Sequence, residues 1–273
     1  MRARIEAAAV ACVLAAGLLA WQAPAAADEV PVDLELVLAV DVSGSMDVEE
    51  QRIQRAGYVA ALTDPEVLRA IASGSYGRVA IAYVEWAGSM AQELTVPWEL
   101  VDDGESAEAF AQRLAAAPTA RIRGTSISGA LAFSAPLFDS NGYEGLRRVI
   151  DISGDGPNNM GPPVAPARDA VLERGIVING LPVMLRPSQL GTMDIAALDV
   201  YYTDCVIGGP GSFVLPVREP GQFAEAIRQK LVLEIAGLPP RVTLAAERER
   251  ERASRSDCMV GERLRRSWEW SDR

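Results

Sequence analysis

The segment Leu34-Glu35-Leu36-Val37-Leu38-Ala39-Val40 is almost continuously apolar and stops at the turn Asp41-Val42-Ser43-Gly44-Ser45. Such a run reads as a central strand buried on both faces, and a strand of that kind demands covering layers above and below it. The following residues supply them. Asp47 is placed as a helix N-cap with Glu50 as its capping-box partner, and the helix runs to about Leu62. Arg78–Val84 is a second strand. Gln92–Leu100 is shorter and more polar, and Pro97 puts it at a sheet edge. Helices are expected over Ser106–Ala116, Thr125–Phe138, Pro163–Arg174 and Gln222–Ile235, and strands over Arg148–Ser153, Ile176–Val183 and Val214–Val217. Strands alternate with helices, so the expected fold is α/β: a doubly wound, mostly parallel central sheet with helices on both faces, Rossmann-like. Apolar residues make up 49% of the 273 and aromatics only 6%, which suits a core of aliphatic strands. No internal repeat and no second core is visible.

The amino terminus has a different character. Arg2 and Arg4 precede the apolar run Ala7–Ala20, small residues follow at Ala25-Ala26-Ala27, and acidic Asp28 and Glu29 come next. That order is a secretory signal over 1–27, and its apolar stretch is short of the roughly 20 residues of a membrane span. The chain is therefore expected to be exported, periplasmic or secreted, with no stable membrane span after cleavage. Two cysteines then remain, Cys205 and Cys258. In an exported chain they favour one disulfide, the alternative being two buried thiols. The division expected is a signal over 1–27, a domain over 28–238 and a charged tail over 239–273. The tail begins after Pro239-Pro240, with Arg241–Leu244 as a candidate strand and Glu247–Arg252 alternating in charge. Trp268 and Trp270 suggest that its end docks on the body, helped by a Cys205–Cys258 tether.

Two bulk features prune the function. The formal charge is −11, which repels nucleic acid and anionic membrane surfaces. There is no histidine, so a Ser-His-Asp triad, a Cys-His dyad and every His-liganded metal site are excluded. What remains is oxygen chemistry. Asp41, Ser43 and Ser45 stand at alternate positions on one tight turn, and Gly44 permits a close backbone approach. Thr125 brings a hydroxyl from a second loop and Asp155 a carboxylate from a third, often through water. Sites in such folds collect where loops leave the carboxyl ends of the strands. A hard cation with six oxygen ligands fits this donor set: Mg²⁺ first, Mn²⁺ or Ca²⁺ as alternatives. Asn158 and Asn159 are candidates to orient metal-bound water or contact a ligand, or else turn residues. Glu85 and Trp86 are rim or packing residues.

The spaced residues Asp41-x-Ser43-x-Ser45, Thr125 and Asp155 resemble the metal-ion-dependent adhesion site of von Willebrand factor A domains, and the resemblance covers roughly Leu34 to Ile235. Tyr201–Gly209 and Phe223–Ile227 also resemble a bacterial subfamily of secreted A-domain proteins of unknown function. The resemblance implies a binding module, not an enzyme, in which a protein ligand presents Asp or Glu to the metal held by Asp41, Ser43, Ser45, Thr125 and Asp155. Two alternatives stand beside it. One is a metal-assisted hydrolase with Asp151, Asp155 or another carboxylate as base. The other is an assembly factor in which the cation only stabilises the fold.

Overall fold

The computed structural model describes residues 29–46, 48–118, 122–185, 195–237 and 256–271. The signal over 1–27, the Asp47 cap, the candidate strand at Arg241–Leu244 and the charge-alternating run lie outside the described residues.

The apolar run forms β2 (Leu34–Asp41), buried along its whole length. Before it, β1 (Val30–Val32) pairs in parallel with β5 (Tyr143–Gly145) in a separate two-stranded sheet. The main sheet has five strands in the order β4-β3-β2-β6-β7, with β3 spanning Val79–Trp86, β4 Gln92–Val101, β6 Arg148–Gly154 and β7 Val177–Pro182. All pairings are parallel except β3 with β4. β4 is the edge strand that Pro97 announces.

The side chains of β2 alternate across the sheet, as the pleat requires. Leu34, Leu36 and Leu38 enter one apolar layer, covered by α1 (Val48–Leu62), α2 (Pro65–Ala72), α3 (Gly104–Ala116) and α7 (Phe223–Ala236). Val37 and Ala39 enter the other, covered by α4 (Ile127–Ser134), α5 (Val164–Glu173) and the short α6 (Leu198–Tyr201). The caps are local. Asp64 accepts from Glu66 N at 2.7 Å with Pro65 opening α2, and Asp103 and Ser106 cap α3 reciprocally.

Two sequence expectations change. The helix expected over Thr125–Phe138 stops at Ser134 and continues as a 3₁₀ turn, Ala135–Phe138, around Pro136. Val214–Val217 lies beside β7 as isolated rungs, not as a strand: Leu215 and Val217 donate to Gly180 and Pro182, but Pro182 has no N–H to return to Leu215. The last described segment, α8 (Val260–Ser271), is joined to the body through Cys258; Trp268 is 44% exposed and Trp270 83%. Cys205 and Cys258 are disulfide-bonded across a sequence separation of 53. By loop-closure entropy that link contributes about 4 kcal/mol. Among the described residues no helix is long and apolar enough to cross a membrane.

Beneath the sheet lies a buried charge cluster. Lys230, the chain's only lysine, sits 2.5 Å from both Asp151 and Glu234, and Asn179 donates to Glu234 at 3.0 Å. The ammonium also lies over the Phe213 ring. One cation faces two carboxylates, so one negative charge is uncompensated. Burial, then the charge of Asp151, pushes the Glu234 carboxyl up to about 7. A carboxyl raised by folding favours the protonated fold: its contribution is complete below the ordinary range near 4.5 and is lost as pH rises through 7. Stability should therefore climb as pH falls from 8 to 5.5, by at most about 1.4 kcal/mol per pH unit for this one group. Glu234→Gln should flatten that climb in a series of urea melts; an unchanged slope would place the proton elsewhere.

Candidate metal centre

Three loops meet at the carboxyl end of the parallel strands. The first leaves β2. Asp41 is fully buried, and its Oδ1 accepts the Ser43 amide at 2.7 Å, an Asx turn that sends the chain back over the strand end. The Ser43 and Ser45 hydroxyls are 2.8 Å apart, and Ser45 Oγ donates to Asp155 Oδ1 at 2.8 Å. Gln51 on α1 donates to the carbonyls of Val42 and Ser43, which ties the helix to the turn.

The second loop precedes α4. Gly44 N donates to Ile122 O at 2.9 Å, so the first two loops pair directly. Gly124 has φ +92°, and a Cβ there would lie 1.9 Å from Met160 Sδ. Only glycine satisfies both the left-handed backbone and the contact. Thr125, 4% exposed, follows at once.

The third loop leaves β6 at Asp155 and is stitched to the second by Asn158 and Asn159. Asn159 Oδ1 accepts the Thr125 amide and Asn158 Oδ1 the Ser128 amide, both at 3.0 Å. The amides of Asn159 and Met160 return to Thr125 O at 2.9 and 3.1 Å. A Cβ on Gly156 would stand 3.9 Å from Thr125 Oγ1, so the hydroxyl faces the third loop. Both asparagines are buried and set loop geometry. Their chemistry was in view from the sequence; their partners, thirty residues away, were not. Glu85 pairs with Arg55 in the interior and Trp86 is fully buried, so both are packing residues.

The electrostatics are unfavourable as they stand. Burial, then the neighbouring charge of Asp155, raises the Asp41 carboxyl well above the ordinary carboxylate range. Its Oδ2 is buried with no hydrogen-bond partner, and Tyr202 Oη nearby is also unpartnered. A Cβ on Gly154 would come within 2.9 Å of each of those two oxygens. Among the described residues no group of three or more His, Cys, Asp or Glu forms a metal cluster. The donors gathered here are two carboxylates and three hydroxyls, which suits a hard, oxygen-seeking ion. Asp151, the other base considered from sequence, is buried on Lys230 beneath the sheet.

A family model described as a protein of unknown function, DUF1194, matches residues 31–239. No curated protein matches the chain by sequence. Among solved structures the chain is similar to proximal thread matrix protein 1 from the mussel byssus, in a form with a zinc-occupied adhesion-site motif. The TM-score is 0.57 at 13% identity, over 76% of this chain and 49% of that one. It is also similar to the pilus adhesin SpaC of Lactobacillus rhamnosus GG, with TM-score 0.54 at 14% identity over 77% and 31%. A von Willebrand factor type A protein of Catenulispora acidiphila gives 0.50 at 16% over 75% and 43%. The chain spans about half or less of the length of these proteins, and the likeness is one of fold: a central parallel sheet between helices, of the von Willebrand A type.

An unpaired buried carboxylate opposes folding. With a chelator present, Asp41→Asn should therefore melt above the wild type, by about 1–3 kcal/mol. Calorimetry of the two proteins in EDTA checks this, and a less stable Asn variant would mean that the Asp41 charge is already compensated.

Proposed function

This chain belongs to the DUF1194 family of proteins of unknown function, and from that membership and its von Willebrand A-type fold we propose that it is an exported, cation-dependent protein-binding module. The carrying observation is the Asp41 carboxylate, buried at the end of the central strand with one oxygen unpartnered, beside the Tyr202 hydroxyl and the Trp86 ring. A divalent cation would supply the missing positive charge. Asp41, Ser43, Ser45 and Thr125 would hold it, with Asp155 acting through water. The oxygens now hydrogen-bonded to one another, Ser43 to Ser45 to Asp155, would turn to the ion. Few direct carboxylates leave the ion electrophilic, so an Asp or Glu of a protein partner would complete its shell. Mg²⁺ fits an all-oxygen, near-octahedral set best, with Mn²⁺ or Ca²⁺ next.

The rim supports a contact surface. Met90 is 95% exposed on the turn that follows β3, and Gly88 on the same turn approaches Arg123 and Met160 of the other two loops. Exposed methionines adapt to apolar partner surfaces. The Cys205–Cys258 disulfide supports an oxidising destination. The chain has no histidine, and we read the site as one of binding rather than catalysis.

Thermal melts test the reading. A cation at about a hundred times its Kd should stabilise the chain by about 2.7 kcal/mol over EDTA. Asp41→Ala should abolish that response and, with it, Mg²⁺-dependent capture of the partner. A wild type whose melting is the same in EDTA and in Mg²⁺, Mn²⁺ or Ca²⁺ overturns the proposal.

A further inference from the structure

The third loop is held from outside as well as from within. The backbone of α8 lies directly on it: a Cβ on Gly261 would stand 2.1 Å from Asn158 O and 3.2 Å from Pro157 Cγ, so only glycine allows the approach. One residue on, Glu262 Oε1 accepts from Asn158 Nδ2 at 2.8 Å. The same Asn158 side chain accepts the Ser128 amide, and the Asn158 backbone N–H donates to Tyr201 Oη at 3.2 Å. Asn158 is thus the point where the third loop, the start of α4, α6 and α8 converge.

The base of α8 is fastened to the same neighbourhood. Cys258 is bonded to Cys205, four residues after Tyr201, and Ser256 N donates to Asp204 Oδ2 at 2.7 Å. The fastening forms a closed circuit from Tyr201 through the disulfide to Glu262 and back through Asn158. A twelve-residue helix is marginal in water without docking. Cys258 and Val260, at its start, pack against the layer that holds α4, α5 and α6. The disulfide therefore anchors the start of the helix, and the helix lies on the outer face of the loop.

We infer that α8 is a clasp on the metal loop, in which Glu262 is a positioning residue that acts through Asn158. The cation affinity of the Asp41 site then depends on a disulfide and a helix that contribute no ligand to it. This rests on the proposed cation site for its consequence, but not for its geometry. Positioning groups behind metal ligands typically affect affinity by tenfold or more.

The full oxidised chain, Cys205→Ser/Cys258→Ser, Glu262→Ala and Glu262→Gln would be compared by two readouts. The first is amide hydrogen exchange without metal at Ser128, Asn158, Asn159 and Met160. It should accelerate about tenfold in the double-serine and Ala variants as the loop opens locally. It should stay near wild type in Glu262→Gln, whose amide oxygen still accepts from Asn158. The second is calorimetric titration with Mg²⁺, where Kd should rise about tenfold in the first two variants and recover in the Gln variant. Glu262→Ala keeps the disulfide, so it decides the matter if the double-serine chain does not fold. Unchanged exchange in Glu262→Ala overturns the clasp. Faster exchange with an unchanged Kd overturns its link to the cation. A wild type that binds no Mg²⁺ overturns the proposed function instead, and exchange alone then decides whether α8 holds the loop.

Discussion

A carboxylate at the end of a strand with no solvent on either face is the constraint around which this molecule is arranged. β2 is buried from Leu34 to Asp41; of its two carboxyls Glu35 is met by Asn141 and the Gly145 amide, while Asp41 stands at the last position, not in a wet loop. Desolvation of an ionised group is expensive, and here the nearest charge, Asp155, makes it worse. The surrounding structure is over-determined for that reason. The Asx turn, the Gln51 bonds, the Gly44–Ile122 pairing and the asparagine stitches hold three loops at one point without neutralising Asp41. Sites that keep a local energetic defect through so many supporting bonds are where function is expected.

The fold meets that need by ordinary means. The parallel pairing of β2 with β6 delivers their ends side by side, and the loops that follow β2 and precede α4 meet at the same rim. The two apolar layers are divided cleanly by the pleat of β2, so the sheet that carries the site is packed from both sides. The second charged group buried with excess negative charge, around Lys230, lies under the opposite layer and holds α7 against β6. Its carboxylates face an ammonium, whereas Asp41 faces hydroxyls, and the difference marks one as internal bracing and the other as a place for something to bind.

The sequence made the architecture readable because periodicity is local. β2, β3, β6 and β7, the edge character of β4 and the helices α1, α3, α4, α5 and α7 follow from apolar spacing and from Pro and Gly, whereas α2 was not read. Asp41, Ser43, Ser45, Thr125 and Asp155 were legible as a group from their positions at strand ends, and the structure gathers those loops. What could not be read is what depends on distance along the chain. Asn158 and Asn159 look like turn residues until their acceptors at Thr125 and Ser128 are in place. Glu85 and Trp86 look like rim until Arg55 and the layer of α4, α5 and α6 close over them. Gly261 has no local reason to be glycine; its reason is a carbonyl a hundred residues earlier. The parallel pairing of β1 with β5 rests on three residues each, too short for any period to register.

The burial of Lys230 has a practical side. It is the sole lysine among 273 residues and is 1% exposed, locked between two carboxylates. The folded chain offers no ε-amine to its surroundings, so acylating dyes, biotin esters and amine-to-amine crosslinkers find no side-chain handle on it. Modification of that position reports a chain whose α7 has come away from the sheet. The rate of acylation at Lys230 is therefore a built-in clock for the opening of the core, readable by mass spectrometry without adding any probe to the sequence.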